Sequence, residues 1–199
     1  IHGCHLALET LLTQLKLTPE DLLVSLGDIV DRGPGTRQVI EMLLEIQQRG
    51  QLIFVRGNHE EMMLSAYEGA GWTSSWLAYG GRAALDSYGG GWEKIPNEHI
   101  DFLRSSVDYY ETDTEVFIHA NLKPGLSLDQ QPTDYLRWEH LSGDEPQDPR
   151  GRRVVCGHTP QRSGVPLILQ PENWVAIDTA AHARGWLTGF DVTGNLFHQ

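Results

Sequence analysis

Four short polar clusters hold most of the residues in this chain that could do chemistry. They are Gly27-Asp28-Ile29-Val30-Asp31-Arg32-Gly33, Arg56-Gly57-Asn58-His59-Glu60, a lone His119, and Gly157-His158-Thr159. Together they offer Asp, Asn and His, that is, oxygen and imidazole donors with no thiolate among them. Such a set suits manganese, iron or zinc at a reactive centre better than a structural thiolate zinc site.

Each cluster follows a short apolar run. Leu22 to Leu26, Leu52 to Val55, Val116 to Ile118 and Val154 to Cys156 read as buried strands. Between the first two, Pro34 to Arg49 carries Val39, Ile40, Leu43, Leu44 and Ile46 on one side of a helix that Gly50 ends. A strand–helix–strand unit of this kind implies parallel pairing. Ligands of open α/β sheets bind outside the carboxyl ends of the strands, so the four clusters are expected to converge on one rim. Leu6 to Leu15, the stretch from Asn58, and Glu98 to Ser106 also have helical character. Leu167 to Leu169, Trp174 to Ile177 and Leu187 to Val192 make the last third nearly all strand. The expected class is α/β, with two mixed sheets face to face and helices outside.

The 199 residues suit a single domain, 40% of them hydrophobic, which is enough for a real core. The segment 69–110 reads as a lid or helical insertion; its glycines loosen the backbone, and Trp72, Trp76, Tyr79, Tyr88 and Trp92 either pack it or stack on a base. A net charge of −12 argues against nucleic acid and against anionic membranes as partners. It would also repel anionic substrates unless a local cation reverses the sign. Cys4 and Cys156 are too few for a disulfide framework, and with no apolar run of membrane-spanning length the expected location is the cytoplasm. Cys4 lies beside a cluster without a nucleophile role. The chain opens on Ile1-His2-Gly3 without Met, so the first strand of the sheet is expected upstream.

Gly27-Asp28-x-x-Asp31-Arg32-Gly33, Gly57-Asn58-His59-Glu60, His119 and Gly157-His158-Thr159, in this order and each after a strand, resemble the calcineurin-like metallophosphoesterases. Within them the chain is similar to bacterial phosphoprotein phosphatases. The resemblance implies an αββα sandwich over residues 1–199 and two divalent metal ions, manganese first, with iron or zinc as the other candidates. Asp28 would bridge the two ions; His2 resembles a ligand of the first, and Asn58, His119 and His158 resemble ligands of the second. A carboxylate expected two positions before His2 lies outside the sequence.

His59 resembles the catalytic acid, with Asp31 orienting it, since an imidazolium near neutral pH needs a carboxylate partner. Arg32 resembles a phosphate clamp, because a guanidinium binds two phosphate oxygens at once. Arg137 or His140 is the candidate for a second clamp. The implied reaction is hydrolysis of phosphate monoesters by a hydroxide that the two metals activate. The expected substrates are phosphoserine or phosphothreonine proteins, with phosphotyrosine and small phosphate esters also in range. Symmetrical diadenosine tetraphosphate is the alternative substrate. A non-catalytic metal-site scaffold is the alternative of another class. His5, His99, His182 and His198 have no motif behind them and read as surface or packing residues.

Overall fold

The apolar runs condense into strands, and those followed by the polar clusters pair in parallel within their sheets. The computed structural model describes residues 1–170 and 173–199. Helix α1 (His5–Leu15) precedes strand β1 (Leu23–Ser25), helix α2 (Thr36–Gln48) and strand β2 (Leu52–Phe54). The two strands pair in parallel, Leu23 opposite Leu52 and Ser25 opposite Phe54. Helix α2 buries Val39, Ile40, Leu43, Leu44 and Ile46, the side expected from its periodicity. Gly50 takes φ +75° after its end, where a Cβ would be strained.

Helix α3 (Asn58–Tyr67) starts directly after β2. The glycine- and aromatic-rich middle is more helical than its composition suggests. Helix α4 (Thr73–Trp76) runs through a π-helical turn at 77–81 into α5 (Arg82–Ser87), and α6 (Asn97–Arg104) follows. The turn exists because Gly80 reverses to φ +114° inside it. Ile40, Leu43, Met62, Met63, Trp76, Ile100 and Leu103 lie in one core between these helices and the β1–β2 pair. Each such large apolar side chain, fully buried, contributes about 1.5–3 kcal/mol.

Strands β3 (Tyr109–Glu111), β4 (Glu115–Ile118), β5 (Arg153–Cys156), β6 (Leu167–Leu169) and β7 (Trp174–Ala176) form a mixed sheet in the order β3-β4-β5-β7-β6. Its centre, β4-β5-β7, is parallel and its two edges are antiparallel. Val116, Ile118, Val154, Cys156, Trp174 and Ala176 form a second core with Leu122 and Leu136 of the loop and helix α7 (Thr133–Trp138). Strands β8 (Gly189–Asp191) and β9 (Leu196–His198) make a terminal hairpin whose turn Asp191 caps through Thr193 and Gly194 N–H. Strand β3 and helix α7 are absent from the sequence reading, one a half-buried edge and the other only six residues long. Among the described residues no helix is long and apolar enough to cross a membrane.

Candidate functional site

The loops after β1, β2, β4 and β5 meet at one buried cluster. His2, Asp28 and His59 present ligand atoms within 4.8 Å of one another, and so do Asp28, His119 and His158, so Asp28 belongs to both groups. Asn58 joins the second, its Oδ1 3.2 Å from His119 Nε2. His2, Asp28, Asp31, Arg32 and His158 all take positive φ, a left-handed backbone that costs about 1–2 kcal/mol per non-glycine residue.

Two glycines make room for the convergence. A Cβ on Gly57 would stand 2.3 Å from Asp28 Oδ1, and one on Gly27 would stand 2.5 Å from Gly57 N. Glu60 then ties the loops together. Its carboxylate accepts the N–H groups of Asp28 (2.8 Å), Gly57 (2.9 Å), Ile29 (2.8 Å) and Val30 (3.3 Å). Glu60 has no solvent exposure, so these charge-assisted bonds stand in for water. A glutamate at the third residue of a helix after Gly57 is a capping-box position, the one local signal for this role.

The donor set fits divalent metal ions. In three imidazoles one nitrogen bonds a backbone carbonyl and the other faces the cluster. His2 Nδ1 donates to Val30 O (3.0 Å), His119 Nδ1 to Leu26 O (2.5 Å) and His158 Nε2 to Trp138 O (3.0 Å). Such carbonyl contacts fix the tautomer that leaves a lone pair for a metal. Burial pushes the His158 pKa down to about 3, with His119 adding to the effect, and burial likewise takes His2 well below the ordinary value. Both rings are therefore neutral donors. Burial alone would raise the Asp28 pKa, but His119, His59 and His2 around it outweigh that and keep the carboxylate ionised.

His59 is turned by Asp31. Its Nδ1 donates to Asp31 Oδ2 at 2.7 Å, and both groups are buried. Asp31 also accepts the indole N–H of Trp76, 2.9 Å from Oδ1 and 3.0 Å from Oδ2. Burial raises the Asp31 pKa to about 6. Burial opposes charge on His59, yet Asp28 and the Asp31 hydrogen bond overcome it and raise the His59 pKa above 6.5. The fully buried Trp76 stacks on Trp92 at 4.8 Å, and a Cβ on Gly81 would meet its ring at 2.3 Å. Gly80 O accepts Arg32 N–H at 3.1 Å, and a Cβ on Gly80 would stand 2.8 Å from Arg32 Cγ. The aromatic middle thus packs beneath the 28–33 loop and holds both Asp31 and Arg32. Sequence reading left Trp76 as a packing or stacking ring, because its acceptor lies 45 residues away.

Arg32 spans the cluster. Its guanidinium lies 2.7 Å from His2 Nε2 and 2.9 Å from His59 Nε2, with His182 Nε2 at 3.4 Å. Guanidinium only donates, so His2 and His59 accept here through Nε2 and neither ring is an imidazolium in this arrangement.

Arg137 is the expected site residue that does not join the others. Its guanidinium is buried in ion pairs with Glu61 (3.2 Å) and Asp108. Those carboxylates hold its two terminal nitrogens, while Nε is buried without a partner. His140 comes closer, stacking on His158 with ring centroids 4.4 Å apart. His182, read as surface or packing, instead meets the His2 ring edge-on at 4.7 Å. His99 packs as expected, against Tyr88. Burial raises the Cys4 pKa, which disfavours the thiolate a nucleophile needs.

A family model described as calcineurin-like phosphoesterase matches residues 1–193. Serine/threonine-protein phosphatase 2 of Escherichia coli (strain K12) is 43% identical over 82 residues, 41% of this chain and 35% of that protein. The symmetrical bis(5'-nucleosyl)-tetraphosphatase of Erwinia tasmaniensis is 38% identical over 72 residues, 36% of this chain and 26% of that protein. The matched stretches thus span about a third of the curated relatives' length or less. The solved cold-active protein-tyrosine phosphatase of a psychrophilic Shewanella has the same fold. Its TM-score is 0.66 at 19% identity, covering 94% of this chain and 71% of that one.

Proposed function

The chain belongs to the calcineurin-like phosphoesterase family, and we propose that it is a metal-dependent hydrolase of phosphate esters in which His59 is the general acid. The observation that carries this reading is the buried Trp76–Asp31–His59 relay beside two ligand groups that share Asp28. His2 and Asp28 would hold one divalent ion, and Asp28, Asn58, His119 and His158 the other. Bound there, the ions supply Lewis acidity toward the phosphoryl oxygens and the attacking water.

The chain's own residues do the rest. Arg32 starts on His2 and His59 Nε2, and a phosphoryl group is a better acceptor because it takes two N–H bonds and carries full charge. Moving Arg32 to the substrate uncovers His59 Nε2, which then takes up a proton because Asp31 and Asp28 favour the imidazolium. The acid thus forms only beside a bound phosphate. His59 gives that proton to the departing oxygen while Arg32 neutralises charge on the equatorial oxygens. Asp31 holds the ring throughout. His140, stacked on His158, is the neighbour that replaces Arg137 as second phosphate contact.

Two substrate readings follow. Phosphoserine and phosphothreonine peptides are supported by the relative named a serine/threonine phosphatase. Dinucleoside polyphosphates are supported by the relative named a tetraphosphatase, and by a cationic pocket next to the site. The test is kcat/KM in manganese for a phosphothreonine peptide and for diadenosine tetraphosphate. Turnover of either, lost on chelation and regained with metal, supports the reaction. Metal binding without hydrolysis of any phosphate ester overturns it in favour of a binding scaffold.

A further inference from the structure

A second cavity opens beside the cluster, about 400 Å3 in volume, between the turn at 160–164 and the loop at 180–186. Arg162, Arg184, His182 and Trp186 line it. His182 is its common wall with the site, since the same imidazole lies against His2 and 3.4 Å from the Arg32 guanidinium. Its size falls within the range of small-ligand pockets.

The loop that forms the far wall is built rather than slack. Trp186 N–H and Gly185 N–H return to Thr179 O (3.1 Å) and Ala180 O (3.0 Å), and Thr179 Oγ1 donates to Trp186 O. A Cβ on Gly185 would stand 1.9 Å from Thr179 O, so only glycine closes this turn. Asp178, the acidic group of the loop, accepts Ala180 N–H at 3.0 Å and does not line the cavity. The construction leaves two arginines facing a cavity with no carboxylate to meet them. Arg162 and Arg184 are exposed and pair with no acid among the described residues, as is also so of Arg49 and Arg82; what sets the two apart is that they line one cavity. In a chain of net charge −12, two free guanidinium groups at one cavity mark a place for an anion. Trp186 is 62% exposed, its Cδ1 3.2 Å from where a Cβ on Gly164 would lie, and it offers a planar apolar face.

We propose that this cavity receives the leaving half of the substrate, a nucleotide, with a further phosphoryl group between Arg162 and Arg184 and its base against Trp186. Guanidinium groups bind phosphoryl oxygens in pairs, and bases stack on exposed aromatic rings without needing a sequence-specific partner. The inference rests on the hydrolase reading and, of its two substrates, selects the polyphosphate.

The test compares the wild-type chain with the Arg162→Ala/Arg184→Ala double variant and with Trp186→Ala. Adenosine 5'-diphosphate is titrated into the metal-free proteins by calorimetry. The double variant weakens binding about tenfold or more, from the loss of charge-assisted contacts, and Trp186→Ala weakens it severalfold. In manganese, the fall in kcat/KM for diadenosine tetraphosphate exceeds that for p-nitrophenyl phosphate by about tenfold. Unchanged diphosphate binding in the double variant overturns the proposal. So does an equal loss on both esters, or the same arginine dependence with a phosphothreonine peptide. Arginine-dependent binding in a protein that hydrolyses no ester supports the nucleotide site and overturns the hydrolase reading instead.

Discussion

Replacing Asp31 by asparagine separates catalysis from stability. Asp31 accepts two donors, His59 Nδ1–H at 2.7 Å and the Trp76 indole N–H. An asparagine offers one oxygen and one NH2. If the NH2 faces His59, the imidazole must accept at Nδ1 and loses the tautomer that leaves Nε2 open. If it faces Trp76, two donors collide. In either case His59 no longer has a carboxylate to stabilise its protonated form, so the general-acid contribution of about 10²–10⁴ in kcat is lost. Stability behaves differently. Buried Asp31 titrates at about 6 instead of 3.8, so its ionised form costs the fold about 3 kcal/mol at neutral pH. The neutral amide relieves that cost, and the donor mismatch takes back about 1–3 kcal/mol. The expected variant therefore unfolds in urea close to wild type while kcat collapses. The loss should depend on the leaving group. It is full for an alkyl phosphate such as a phosphoserine peptide, whose alkoxide needs a proton, and about tenfold or less for p-nitrophenyl phosphate, whose phenolate leaves unaided. Steady-state kinetics on the two esters, at saturating manganese, make the comparison. Equal losses on both, or an alkyl-ester kcat within a few-fold of wild type, would refute the acid role of His59 and the orienting role of Asp31.

Three further outcomes are expected. Trp76→Phe removes the second donor to Asp31 and part of a buried ring; urea unfolding should show a loss of about 2–4 kcal/mol, and kcat should fall about tenfold with KM little changed. Glu60→Gln puts an NH2 against N–H groups that now share one carboxylate, so calorimetry should show manganese affinity down about tenfold or more, as the Asp28 loop loses its anchor. In the metal-free protein His158 is held near 3 and His2 well below its ordinary value, so as pH falls the unfolded chain binds protons first. Their contribution to stability is then full above about pH 6.5 and falls by a few kcal/mol toward pH 3, while Asp31, relieved of its charge below about pH 6, offsets part of it; urea midpoints of Asp31→Asn at stepped pH isolate the loss, and an unchanged midpoint at pH 5 in that variant would contradict the burial of these rings.

What could be read from the sequence alone is local. Apolar runs became strands, the periodicity of 34–49 became α2, and the donors after four strands met at one cluster because parallel strands present their ends on one side. Asp28, Asn58, His119 and His158 stand out by their place after a strand, and the family resemblance is what reads them as ligands. Glu60 was half legible, as a capping glutamate, though not its hold on the Asp28 loop. The rest depends on distances that a sequence does not contain. Whether Arg137 clamps a phosphate or neutralises Glu61 and Asp108 is set by how α7 lies on its neighbours. Trp76 reaches Asp31, and His182 reaches His2, across intervals where no periodicity operates. Arg162 and Arg184 come to face one cavity only because the loop at 180–186 folds back on Thr179 and Ala180. Residue type and spacing determined which atoms could do the chemistry; packing between distant segments decided which of them meet, since burial and hydrogen bonding act through space rather than along the chain.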